Sequence, residues 1–244
     1  MIFVQDNSVQ AINAALNVIQ KNSTPAQTSR GRRLSSSATN KFSISVSGNA
    51  ISCYIPDFPE LVANVTSVKI IFPQLDTGSP TLNINGLGAK PIKAVRAGQL
   101  VDIVAHTGYW EGAGSTSQRV WDANTSLDLI YDGTNWVVVG NPVLCSYFAT
   151  DKSYSVYADG LIRQWGRRNN GSNARALDYD LTFPIVFSSG TSYAINVSAQ
   201  RNGSGECAMT PTGYTISSAK AHIGAYGISS SNIAQYLSWE VMGY

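Results

Sequence analysis

The chain has 244 residues, of which 43% are hydrophobic and 13% charged, with a formal net charge of +2. An average soluble domain carries about 25% charged residues, so a helical bundle, whose exposed faces want Glu and Lys, is disfavoured. Polarity comes instead from Ser, Thr, Asn and 21 Gly, a balance that favours short strands joined by turns.

No apolar run approaches the ~18 residues of a membrane span, so no membrane insertion is expected. The stretch from Met1 to Asp6 has no basic start and no long apolar run, and predicts no secretory signal. The chain divides into residues 1–41, a helix and linker; residues 42–142, a middle β domain; and residues 143–244, a C-terminal β domain.

In the first part, the spacing predicts a short helix over Ser8 to Lys21. Val9, Ile12, Leu16 and Ile19 recur at heptad spacing, Ser8 can cap the start, and Asn22 to Pro25 stops it. Heptad spacing suits self-association as a coiled coil or one amphipathic helix lying on its own domain. Two heptads are too few to hold a coil alone. The Ser/Thr-rich stretch that follows carries Arg30, Arg32 and Arg33, and residues 1–41 hold five Lys/Arg against Asp6. That excess fits a nucleic-acid arm or a solvated linker. No aromatic residue is interleaved to offer a stacking surface, which favours the linker, and no nucleic-acid partner is expected.

The middle part reads as strands with turn punctuation. Phe42, Ile44 and Val46 alternate with Ser, and Val68 to Phe72 is an apolar strand ended by Pro73. Thr81 to Asn85 alternates and is broken by Gly86-Leu87-Gly88. Asp132-Gly133-Thr134-Asn135 lies between the apolar runs Ser126–Tyr131 and Trp136–Val139, a strong hairpin signal. The Gly-x-Gly at Gly86 and Gly88 is no dinucleotide fingerprint: the third Gly is missing and Pro91 blocks the helix that should follow.

The third part is again all strands. Tyr193, Ile195, Val197 and Ala199 share one face, and Leu237, Trp239 and Val241 alternate with Ser238, Glu240 and Met242. The polar stretches Arg167 to Asp178, Arg201 to Gly213 and Gly224 to Asn232 read as long loops, which are either functional or tolerated insertions.

Catalytic signals are sparse. His106 and His222 are the two histidines, and no Gly-x-Ser-x-Gly, His-Glu-x-x-His or phosphate-binding loop occurs. Asp178 and Asp180 lie two apart and on a strand would share a face. A paired carboxylate is what a glycosidase needs, but the neighbouring Arg167, Arg168 and Arg175 suggest ion pairing instead. Cys53, Cys145 and Cys207 are far apart and odd in number. They read as small buried hydrophobes of a protein made in a reducing compartment, and no metal site or cofactor is expected.

Three segments of the third part carry a resemblance. They are Gly160-Leu161-Ile162-Arg163-Gln164-Trp165-Gly166, Leu181-Thr182-Phe183-Pro184-Ile185-Val186-Phe187, and the closing Tyr236-Leu237-Ser238-Trp239-Glu240-Val241-Met242-Gly243-Tyr244. In that order they resemble the C-terminal receptor-binding tip of bacteriophage tail fibres. Thr81 to Ile92 and Leu129 to Trp136 are similar to modules that precede such tips. Glu240 departs from the pattern, where an apolar or small residue is more usual.

The resemblance implies an all-β chain ending in an antiparallel β-sandwich knob. It implies a homotrimeric virion tail fibre, made in the host cytoplasm, that attaches to a bacterial polysaccharide or outer-membrane protein without catalysis. Other tail or baseplate proteins would join through the N-terminal part. The alternative is a tail-associated polysaccharide-degrading enzyme. Trp165, Phe183, Phe187 and Trp239 read as core.

Sugar sites combine an aromatic face with planar polar side chains. The candidate receptor-binding residues are therefore Arg167, Arg168, Asn170 and Tyr179 in one cluster, Arg201, Asn202 and Tyr214 in a second, and Tyr226 in a third, with Asn169 and Asn173 beside the first. The aromatic segment Tyr109, Trp110 and Trp121 is the fallback.

Overall fold

A computed structural model describes residues 43–56, 58, 60–108, 117–149, 151–188, 193–202, 209–227 and 233–244. The expected helix over Ser8 to Lys21, the three linker arginines, Cys207, Tyr109 and Trp110 lie outside the described residues.

Every regular element among the described residues is a strand. In chain order they are β1 (Ser43–Ser47), β2 (Ala50–Tyr54), β3 (Ser67–Phe72), β4 (Thr81–Ile84), β5 (Lys90–Arg96) and β6 (Gln99–Asp102). Next come β7 (His106–Gly108), β8 (Ser117–Arg119), β9 (Thr125–Tyr131), β10 (Trp136–Val138), β11 (Val143–Tyr147) and β12 (Ser153–Tyr157). The series closes with β13 (Ile162–Ala174), β14 (Ala176–Thr182), β15 (Tyr193–Gln200), β16 (Met209–Ser217), β17 (Lys220–Gly227) and β18 (Ala234–Gly243).

The strands fall into two compact units. One takes the described residues up to Pro73 with Ser79–Asp102 and Ala123–Gly140. The other takes Gln74–Gly78, Ile103–Asp122 and Asn141–Tyr244.

The first unit is one sheet in the order β1-β2-β4-β5-β10-β9-β3, with β6 also paired to β5. Neighbours are antiparallel except β2–β4 and β5–β10. Strand alternation makes its core. Val68, Ile70 and Phe72 of β3 are buried while Lys69 and Ile71 between them are half-buried, and Leu127, Leu129 and Trp136 are fully enclosed. The expected hairpin is present: Tyr131 pairs with Trp136, Asp132 N–H donates to Asn135 O at 3.0 Å, and Gly133 takes the left-handed φ of +110°. Asp132 Oδ1 accepts from the N–H groups of Thr134 (2.7 Å) and Asn135 (2.6 Å), which fixes the turn. Cys53 is reduced and buried, and burial pushes its thiol up to about 11.

The second unit has a five-stranded antiparallel sheet, β11-β12-β13-β18-β15, and a three-stranded antiparallel sheet, β14-β17-β16. A short pair, β7–β8, and the isolated bridges Leu75–Trp121 and Gly108–Ile185 complete it. Cys145 is buried here, its Sγ 3.6 Å from Val120 O.

The three sequence motifs meet in this unit, and the meeting explains their residues. Gly160, at φ +88°, turns β12 into β13 with help from Asp159, whose carboxylate accepts from Leu161 N–H at 2.9 Å. Gln164 then points inward and is fully buried. Its amide donates to Ile185 O and accepts from Ile185 N–H, both at 2.8 Å. A side-chain amide thus stands in for a missing strand neighbour and ties the first motif to the second. Phe183, Phe187 and Trp239 are buried and pack together with the half-buried Tyr193: Phe183 meets Phe187 and Tyr193 edge-on at 5.3 and 5.1 Å, and Trp239 at 6.4 Å. Trp239 brings in the third motif.

Candidate functional site

The second unit presents polar faces on both of its sheets. On the five-stranded sheet, β18 pairs with β13 on one side and β15 on the other. Register places Trp165 opposite Glu240 and Glu240 opposite Asn196, then Arg167 opposite Ser238 and Ser238 opposite Ser198. Alternation sends Gln164 inward, so Trp165 lies on the polar face. It is half-buried there, against Phe148 (centroids 5.6 Å apart) and under the Arg163 guanidinium at 5.1 Å. The expectation of Trp165 as core is corrected, while Phe183, Phe187 and Trp239 are core as expected. Glu240, the odd residue of its motif, accepts a hydrogen bond from Arg163 Nε at 2.5 Å. Arg163, Trp165, Arg167, Asn196, Ser198 and Glu240 line a groove of about 530 Å³.

Beyond the groove, β13 continues. The expected loop from Arg167 is strand: Arg167, Arg168 and Asn169 pair with Ser238, Leu237 and Tyr236. Asn, Gly, Ser and Arg are poor strand formers, but the β18 partner supplies the ladder and overrides their preference. Between Asn169 and Ala174 the register slips, and Gly171 sits at φ +81°. The Asn-rich segment is therefore a bulge, which re-aims side chains out of the ladder.

This bulge gathers part of the expected site. Tyr179 O–H donates to Asn170 Oδ1 at 2.7 Å, and the Arg168 guanidinium lies 5.1 Å over the Tyr179 ring. Asn173 and Asn202 exchange two hydrogen bonds, each 3.1 Å. Arg168, Asn170 and Tyr179 are thus joined at the bulge, with the Asn173–Asn202 pair on the same bulged segment, whereas Arg167 faces the groove and lies over the Tyr236 ring. Arg201 is half-buried, with its Nε covered and unbonded.

Tyr214 and Tyr226 lie elsewhere. Both are on strands rather than in loops, on the outer face of the three-stranded sheet, where they are 57% and 44% exposed. Between them sits His222. Register puts Asp180, His222 and Tyr214 in one row across the three strands. Asp178 and Asp180 share a face, as their spacing predicts, but they bracket His222 rather than pairing with arginine. His222 Nδ1 is 3.0 Å from Asp180 Oδ1, Asp178 approaches Nε2, and the Tyr214 ring stacks on the imidazole at 4.6 Å. The reason is cross-strand position, invisible in linear order. Of the fallback segment, Trp121 is fully buried and unavailable to a ligand. Among the described residues, no group of three or more His, Cys, Asp or Glu side chains is placed to hold a metal ion.

The Asp180 hydrogen bond holds His222 above its ordinary range against the opposing effect of desolvation, with further help from the Asp178 carboxylate. The folded state then favours the protonated imidazole. The stabilisation is complete below the unfolded value of about 6.5 and fades as pH rises through the folded value. The parent should therefore gain more thermal stability between pH 8.5 and pH 5.5 than His222→Gln does, by about 1–3 °C in Tm for an exposed pair. Identical pH profiles of Tm for the two proteins would show the pair to be energetically silent.

Residues 156–244 match the family described as "Putative tail fiber protein gp53-like, C-terminal". This region is a tail-fibre C-terminal domain. All three motif segments lie inside it, as the order of the motifs implied. The match ties this domain to the tail of a virion. Solved pyocin tail fibres are similar over 43% of the chain. An N-truncated R1-type pyocin tail fiber is 20% identical, with 87% of its chain covered and a TM-score of 0.34. A P. aeruginosa R1 pyocin fiber comprising its C-terminal residues is 21% identical, with 28% of its chain covered and a TM-score of 0.34. An N-truncated R2-type pyocin tail fiber is 26% identical, with 39% covered and a TM-score of 0.30. No curated protein matches the chain.

Sequence reasoning missed the groove of the tail-fibre domain and the bracketed histidine. The signals existed in part: Glu240 broke its motif, and the alternation of β13 could have placed Trp165 on the Arg163 side.

Proposed function

We propose that this tail-fibre protein is a non-catalytic adhesin that attaches the virion to polysaccharide on the bacterial surface. The observation that carries the reading is the neighbourhood around the β13 bulge. Arg168, Asn170 and Tyr179 are joined by hydrogen bonding and stacking, with the Asn173–Asn202 pair beside them. Amides, guanidinium and phenol on a rigid sheet are the groups that satisfy sugar hydroxyls and pack against a ring's C–H face. Tyr214 and Tyr226 offer a second exposed aromatic surface. Arg167 and Arg201 complete the proposed receptor-binding set. The two sheets of the domain, with Phe183, Phe187 and Trp239 buried, read as the β-sandwich knob of a homotrimer.

The test is adsorption of the purified protein to intact host cells and to cells stripped of surface polysaccharide. Arg168→Ala, Arg201→Ala, Asn202→Ala and Tyr226→Ala should each weaken adsorption about threefold to tenfold, with assembly mass and Tm nearly unchanged. Equal adsorption by all four variants and the parent would put the site elsewhere, and equal adsorption to stripped cells would turn the reading toward a protein receptor. Light scattering should give a trimer mass at micromolar concentration; a monomer mass sinks the homotrimer. The bracketed His222 keeps a degrading activity as the second reading. Release of reducing sugar from host polysaccharide by the parent, lost in Asp178→Asn, would establish it.

A further inference from the structure

We infer that the groove on the polar face of the five-stranded sheet is an anion-selective saccharide site, with Arg167 holding a carboxylate or phosphate substituent of the bound glycan. The inference rests on the attachment reading and adds a second contact place, apart from the β13 bulge, and a ligand class.

Three observations carry it. First, the charges lining the groove do not cancel. Arg163 is matched by Glu240 at 2.5 Å, whereas Arg167 makes no ion pair among the described residues. Its guanidinium lies 3.6 Å over the Tyr236 ring, and its Nε is covered and makes no hydrogen bond. Stacking holds the group in place while leaving its charge uncompensated. A planar guanidinium fixed in this way suits a carboxylate or phosphate, because its N–H groups are set before the ligand arrives.

Second, the other lining groups suit a sugar. Trp165, backed by the 70% exposed Phe148, gives an apolar wall for a ring face, and Asn196, Ser198 and Ser238 give an amide and two hydroxyls for ring hydroxyls. Third, the volume of about 530 Å³ lies inside the ~300–1,000 Å³ usual for small-ligand sites. Most of the groove is formed by three strands of one sheet, with Ala149 and Phe148 of the β11–β12 connection at its edge, so the main contact groups are fixed before a ligand arrives.

The test uses the full chain and three probes by calorimetry: a galacturonate oligomer, a glycerol-phosphate oligomer and a neutral glucose oligomer. One or both acidic probes should bind at least about tenfold more tightly than the neutral one, and which of the two binds identifies the anion. Arg167→Gln should weaken the acidic probe about tenfold, and Arg167→Lys should recover part of the loss. Lys69→Gln, which removes the same charge from the other unit, should change nothing. The inference is overturned if the neutral probe binds equally well, if no probe binds, or if Arg167→Gln binds like the parent. It is also overturned if Arg167→Gln alters the assembly mass, since the face would then be a subunit contact. A chain that fails to adsorb to host cells yet binds an acidic probe through Arg167 would remove the attachment reading and leave the site standing.

Discussion

Replacing Gln164 by Met should lower the Tm of the tail-fibre domain by roughly 5–15 °C. Met matches Gln in length and is apolar, so the change leaves little cavity in a fully buried position. It does remove both hydrogen bonds to Ile185, leaving a buried N–H and a buried C=O without partners. Each orphan costs about 1–3 kcal/mol, so the loss is about 2–6 kcal/mol. Gln164→Glu separates hydrogen bonding from packing. A buried carboxylate cannot donate to Ile185 O, and burial raises its pKa. The protonated acid can both donate and accept, so Gln164→Glu should be more stable at pH 4.5 than at pH 7.5 relative to Gln164→Met. Should Gln164→Met melt within about 2 °C of the parent, the amide bridge between the first two motifs carries little energy.

Gly166→Ala should be as damaging, for a steric reason. A Cβ at this position would run into the carbonyl of Asp151, lying 2.7 Å from its carbon, and would stand 2.8 Å from Cζ2 of Trp239. Neither neighbour can give way cheaply. Asp151 lies inside a turn closed by Ser153, whose hydroxyl accepts from Ala149 N–H at 3.0 Å and donates to Ala149 O at 2.9 Å. Trp239 is wedged in the aromatic core. Overpacking of this kind costs about 1–3 kcal/mol and more when backbone must move, so a Tm loss of about 5–15 °C is expected. Gly48→Ala is the comparison: it meets no atom within 4 Å, and its φ of +58° limits the cost to about 1–2 kcal/mol. Equal melting curves for the two variants would mean that the Asp151 segment relaxes freely.

Much of the strand pattern was legible. The alternation of Tyr193 to Ala199 and of Leu237 to Met242 and the Asp132-Gly133 hairpin needed no partner to be read, because side-chain parity and turn chemistry are local. The stretch from Arg167 to Ala174 was not legible as strand. Its residues disfavour that state, and the partner that enforces it, β18, is remote in sequence. The same limit applies to the site. Arg168, Asn170 and Tyr179 could be grouped because they are sequence neighbours, whereas Asn173–Asn202 and Asp180–His222 are joined only by register. Trp165 was misassigned because an aromatic in a motif strand reads as core until the inward position is known to belong to Gln164.

The placement of β18 between β13 and β15 bears on how the molecule is made. Arg163 and Glu240, whose side chains join diagonally across that seam, are 77 residues apart. Such pairings lengthen the search for the folded state, putting domains of this kind in the millisecond-to-second range rather than the microsecond range. Until β18 inserts, β13 and β15 each present an open hydrogen-bonding edge, a ready template for pairing with another nascent chain. Refolding yield should therefore fall as protein concentration rises. The low formal charge gives such intermediates little mutual repulsion, which steepens that fall.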